Sequence, residues 1–126
     1  MSLPSDRAAA MMRAVMTPTD TMQRYFETWN AREFDAFEAQ LAPDVDFAGP
    51  LGTARGPAEC RAGIERLSRI VERSDVVAMA ADGPDVITWF ELRTPGGNAL
   101  PVANWATVED GRIRRIRVTF DPRPLL

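Results

Sequence analysis

The stretch NWATVEDGRIRRIRVTF, from Asn104 to Phe120, holds an Asp110-Gly111 pair between two alternating runs. Aspartate and glycine tolerate the positive φ angles of a tight two-residue turn, so the stretch reads as a β-hairpin. Such a turn pairs Glu109 with Arg112, and counting outward pairs Trp105 with Ile116, Ala103 with Val118 and Pro101 with Phe120. Paired residues share a face. One face is therefore expected to be apolar, with Trp105, Ile116, Val118 and Phe120. The other carries Asn104, Arg115 and Arg117.

Working outward, the same two-residue period runs through DVVAMAA, DVITWFELR and ALPVANWATVE, with turn residues Asp82-Gly83-Pro84 and Pro95-Gly96-Gly97-Asn98 between them. Four strands follow one another from Asp75 onward. In DVITWFELR either Phe90 or Trp89 faces inward, since neighbours in a strand point oppositely. Before Asp75 the period is helical. In TPTD, Thr17 caps, Pro18 takes the first helical position and Asp20 faces the dipole's positive end. Met22, Tyr25, Phe26 and Trp29 then form one buried face. AREFDAFEAQLAP repeats the pattern with Phe34, Phe37 and Leu41 inward and Pro43 as the stop, and DVDFAG is a short strand. Gly56-Pro57 opens a third helix reaching about Arg73, its inner face Cys60, Ile64, Leu67 and Val71. Helices first and a strand meander after them make an α+β domain over residues 18–126, with helices on one face of a curved sheet. Residues 1–17 are expected to be an N-terminal extension, helical in an Ala/Met-rich arm.

The composition removes whole classes of chemistry. There is no histidine and no lysine, and all fifteen basic residues are arginine. Histidine triads, histidine-bound metals, Schiff bases and a P-loop lysine are excluded. Proton transfer near neutrality would fall to carboxylates, Tyr25 or water. A net charge of −3 argues against a nucleic-acid role, and no apolar run approaches the length of a membrane span. The single cysteine, Cys60, permits no internal disulfide, and a cytoplasmic setting is expected.

YFETWNAREFDAFEAQLAPDVDFAGPLGTARGPAE resembles the helix-helix-strand-loop-helix opening of the SnoaL-like branch of the nuclear transport factor 2-like superfamily, and VEDGRIRRIRVTFDP resembles its closing hairpin. The resemblance implies a cystatin-like cone. A curved antiparallel or mixed sheet and three N-terminal helices enclose a pocket, and the sheet's outer face often dimerises. It also allows known catalytic positions to be compared. Ketosteroid isomerase uses a tyrosine, an aspartate base and a second, protonated acid. These resemble Tyr25, Gly49 and a position on or beside Pro101, so only the tyrosine is present. The arginine and two aspartates of limonene epoxide hydrolase resemble Thr88, Phe90 and Val118, and the acid of SnoaL-type polyketide cyclases again falls on Val118.

The expected pocket is lined by Tyr25, Trp29, Phe47, Phe90, Trp105, Val118 and Phe120, with the Tyr25 hydroxyl as its polar handle and best catalytic candidate. Such a site suits a small hydrophobic molecule, with no metal, cofactor, nucleic acid or membrane. Trp89, Asn104, Arg115 and Arg117 are expected on the outer face, in a homodimer interface. Asp46 reads as solvated and Asp121 as a turn residue. Two functions stay open: an isomerase, cyclase, hydratase or lyase acting on an apolar substrate, or a non-catalytic ligand-binding or scaffold module.

Overall fold

The computed structural model describes residues 7, 8, 10, 11 and 16–126. Of the expected N-terminal arm, Arg7, Ala8, Ala10 and Met11 are helical and Met16 and Thr17 are not, while residues 1–6, 9 and 12–15 lie outside the described residues. The chain then runs α1 (Pro18–Asn30), α2 (Phe34–Ala39), β1 (Leu41–Gly49), β2 (Gly52–Arg55), α3 (Gly56–Leu67), β3 (Arg73–Asp82), β4 (Asp85–Arg93), β5 (Ala99–Glu109) and β6 (Arg112–Thr119). A single 3-10 turn, Arg123–Leu125, follows the last strand.

Helix α1 begins where its cap chemistry requires. The Thr17 hydroxyl accepts from the Asp20 amide and the Asp20 carboxylate accepts from the Thr17 amide, each at 3.0 Å. This reciprocal box, with Pro18 in the first turn, fixes the phase of the helix so that Met22, Tyr25, Phe26 and Trp29 are all buried. Its C-terminal end is tied to the sheet by Asn30, whose amide donates to the Ser74 carbonyl at 2.8 Å while its carbonyl accepts from the Ser74 amide at 2.8 Å. Beyond it, Arg32 donates to the carbonyls of Val71 and Glu72 at 3.1 and 2.9 Å, fastening the α1–α2 turn to the α3–β3 connection.

The six strands form one curved sheet in the order β2-β1-β6-β5-β4-β3. All neighbours are antiparallel except β1 and β6, which are parallel, so the sheet is mixed. Helix α1 packs on β3, β4 and β5, and α3 covers β1 and β2. The inner face of the sheet alternates cleanly: Val86, Thr88, Phe90 and Leu92 on β4, then Leu100, Val102, Asn104, Ala106 and Val108 on β5. Phe90 faces in and Trp89 out, which resolves the open phase of β4.

Two helix ends differ from the expectation. Helix α2 stops at Ala39, and Leu41 to Pro43 already belong to β1. Pro43 is tolerated there because the β1–β6 register shifts between Leu41 and Asp46, a stretch where the ladder makes no demand on its missing N–H. Helix α3 ends at Leu67 rather than near Arg73, and Val71 is buried from the connection that follows.

The decisive hairpin departs from simple counting. Glu109 pairs with Arg112 as expected, and Val108 pairs with Ile113, but Thr107 pairs with Arg115. Arg114 is thus an extra residue, a β-bulge that advances β6 by one. From there to the open end, Trp105 lies opposite Arg117 and Asn104 opposite Val118. The assignment of Trp105 to the inner row and Asn104 to the outer row is corrected. Trp105 is 43% exposed, whereas Asn104 is 2% exposed. Arg115 and Arg117 do point outward as read: Arg115 stacks 5.2 Å over the Trp105 ring, and Arg117 donates to the Asp46 carboxylate at 2.9 Å.

Candidate functional site

The concave face of the sheet and the helices do not close on one another completely. Between them lies a cavity of about 270 Å³. Its wall includes Tyr25, Trp29, Phe47, Phe90, Val118 and Phe120 from the expected set; Trp105 is absent from it, being on the far side of β5. Ile116, Leu92 and Val102 complete the sheet side, and Cys60, Gly63, Ile64 and Leu67 come from α3. The mouth lies by the β1–β2 turn and the end of α3, where Leu51 and Ile70 are exposed.

Tyr25 is held rigidly. Its ring packs edge-on to Phe26 at 5.0 Å and tilted against Phe37 at 4.8 Å. Its hydroxyl makes no hydrogen bond among the described residues. Burial, and secondarily the nearby Cys60, push its ionisation far above that of an ordinary tyrosine. The group is therefore a neutral O–H donor throughout the physiological range. The indole N–H of Trp29, by contrast, is committed to the Ser68 hydroxyl at 3.2 Å.

Asn104 is the functional candidate that hairpin counting misplaced. It lines the cavity and is buried; among the described residues its Nδ2, the donor, makes no hydrogen bond, and its Oδ1, an acceptor, has no partner. Thr88 lies directly opposite on β4, also buried, with its Oγ1 unpartnered among the described residues. An unsatisfied buried amide is costly, and where it borders a cavity it is available to a guest. One signal for it stood in the sequence: in RIRRIR, Ile113 and Ile116 are three apart, an odd spacing that places both inside only if a residue is bulged.

The remaining chemistry is sparse. Among the described residues no carboxylate lines the cavity. Asp46 is held below the usual carboxylate range by its hydrogen bond from Arg117, and Asp121 is drawn down to about 2 by Arg123, so both serve as ion-pair partners on the exterior. The Cys60 thiol is pushed up to about 11, first by burial and then by Glu59, and is a neutral small hydrophobe rather than a thiolate. At Gly49 a Cβ would meet the Phe47 ring at 3.3 Å and Val118 Cβ at 3.5 Å, so a larger residue there would require the wall to move. Pro101 is exposed. Among the described residues no group of three or more acidic or cysteine side chains is arranged to hold a metal ion, and no helix is long and apolar enough to cross a membrane. The arrangement can do one thing well: exclude water from an apolar molecule and offer hydrogen bonds from Tyr25 and Asn104 to a polar atom on it.

Comparison with known proteins agrees with this architecture. The model of the SnoaL-like domain family matches residues 22–116. A Kribbella flavida protein of solved structure is 31% identical with a TM-score of 0.78, over 84% of this chain and 88% of that one. A nuclear transport factor 2-like protein of unknown function from Cytophaga hutchinsonii is 25% identical with a TM-score of 0.77, covering 87% and 95%. An LEH-like epoxide hydrolase from M. tuberculosis shares the fold at 22% identity, with a TM-score of 0.72 and 84% of each chain covered. No curated protein matches the sequence.

Proposed function

Because the chain belongs to the SnoaL-like domain family, with a nuclear transport factor 2-like fold, we propose that its cavity binds a small apolar molecule through a carbonyl oxygen, which accepts hydrogen bonds from the Tyr25 hydroxyl and the Asn104 amide. The observation that carries this reading is the combination of two donors that make no hydrogen bond among the described residues, the Tyr25 hydroxyl and Asn104 Nδ2, with a wall that is apolar apart from Thr53 and Arg66. Binding stands ahead of catalysis because, among the described residues, no carboxylate or imidazole lines the cavity to move a proton. The catalytic reading is favoured by the same two donors, since a polarised carbonyl is activated toward enolisation or addition. Its proton would then pass to water or to a group on the substrate.

Titration calorimetry with naphthyl methyl ketone and with ethylnaphthalene tests the reading. The ketone should bind more tightly than the hydrocarbon. Tyr25→Phe and Asn104→Leu should each weaken the ketone by about five-fold, the worth of one net hydrogen bond, and leave the hydrocarbon nearly unchanged. Equal affinity for the two compounds in the parent protein would refute it.

We also propose that the outer face of the sheet pairs with a second copy of the chain. Ile87, Trp89 and Trp105 are about half exposed there, and Ile87 lies directly beside Trp105 in the ladder. Arg115, Arg117 and the Asp85 carboxylate share that face, so a two-fold copy would set guanidinium and carboxylate groups against each other around an aromatic centre. The Asn104 side chain, buried on the inner face, is no part of this surface.

A further inference from the structure

Among the described residues lining the cavity, Arg66 alone is charged. It sits in the last turn of α3, is exposed, and has no carboxylate partner among the described residues. The helix itself denies it one: its neighbours three and four positions away are Ala62, Gly63, Arg69 and Ile70. Nor does the side chain simply extend into solvent. A Cβ built on Gly63 would lie 3.9 Å from Arg66 Nη2, so the guanidinium folds back over a glycine that itself lines the cavity.

We infer that the ligand carries a carboxylate at the end opposite its carbonyl, and that Arg66 recognises that carboxylate at the cavity mouth. The inference rests on the binding reading above and narrows it to apolar keto acids. The buried end, with Tyr25 and Asn104, offers neutral donors suited to an uncharged oxygen. The open end offers one guanidinium beside the exposed apolar side chains Leu51 and Ile70. A single planar fork matches a monoanionic carboxylate in two parallel hydrogen bonds, whereas a phosphate dianion would leave a charge uncompensated here. Arg66 also suits the negative end of the helix dipole, a purely structural role that would affect stability alone.

The test is binding of acetylnaphthoic acid and its methyl ester, each titrated into the full chain and into Arg66→Gln and Arg66→Lys. In the parent protein the acid should bind about five-fold more tightly than the ester, the range of a partly exposed ion pair. That ratio should fall to about one in Arg66→Gln, survive in part in Arg66→Lys, and shrink as salt is raised. Ester and acid binding equally in the parent protein would overturn this inference and leave the binding reading standing. An acid preference that persists in Arg66→Gln would overturn it as well. Failure of both compounds to bind would overturn both readings.

Discussion

Asn104 and Thr88 face one another across β5 and β4, each fully enclosed and each with an oxygen that none of the described residues satisfies. Only one of them borders the cavity. For Thr88 the hydroxyl is therefore a cost without a visible return, and Thr88→Val, which keeps the shape, should raise stability by about 1 kcal/mol in urea unfolding. For Asn104 it is the uncommitted Nδ2, not the oxygen, that a guest carbonyl can use. Tyr25 could be assigned to the interior from sequence alone because helical spacing with Met22, Phe26 and Trp29 leaves one choice of face. Asn104 could not, because a strand has only two faces and a single inserted residue exchanges them.

That inserted residue is Arg114, and the element it reshapes is the closing hairpin. Deleting Arg114 would force either Ile113 or the Ile116–Val118 pair out of the interior, so the deletion variant should lose its cooperative thermal transition. Arg114→Ala keeps the residue count and removes only exposed pairs with Asp44 and Glu109, both at 2.7 Å. Its midpoint, followed by circular dichroism, should stay within a few degrees of the parent. A similar midpoint for the deletion would show that the bulge does not set the strand phase. Elements with strong periodicity and caps were legible, as α1 and β4 to β6 show. The end of α2 was not, because the helical pattern of Phe34, Phe37 and Leu41 continues past Ala39 into a strand whose Leu41 is buried on the same side. Proline at 43 marks a ladder irregularity rather than a helix stop. The cavity wall was legible wherever the strand phase was right, and Trp105 was lost where it was not.

At the scale of the whole molecule, the absence of histidine leaves no side chain with an ordinary pKa near neutrality, so stability should be flat from about pH 5 to 8. Asp44, Asp46, Asp75 and Asp121 are held below their ordinary range by Arg114, Arg117, Arg73 and Arg123 respectively. Their contribution is present above about pH 4 and is lost as pH falls through the lowered values, about 2 for Asp121. Cys60 and Tyr25 are raised, so theirs is complete below about pH 9 and is lost as pH climbs past it toward the raised values, about 11 for Cys60. Thermal midpoints measured across pH should trace a broad plateau with both shoulders; a step between pH 6 and 7 would contradict this. The outer face makes a second whole-molecule prediction. Sedimentation at micromolar concentration should give a dimer that Trp105→Arg converts to monomer, whereas a monomeric parent would remove the proposed pairing.

The central claim, that two buried donors meet a ligand carbonyl, is tested most directly by the infrared stretch of carbonyl-labelled naphthyl methyl ketone bound to the protein. The band should shift to lower frequency than in hydrocarbon solvent, and Tyr25→Phe and Asn104→Leu should each return part of the shift. A bound carbonyl whose stretch matches that in hydrocarbon, unmoved by either substitution, would contradict the account.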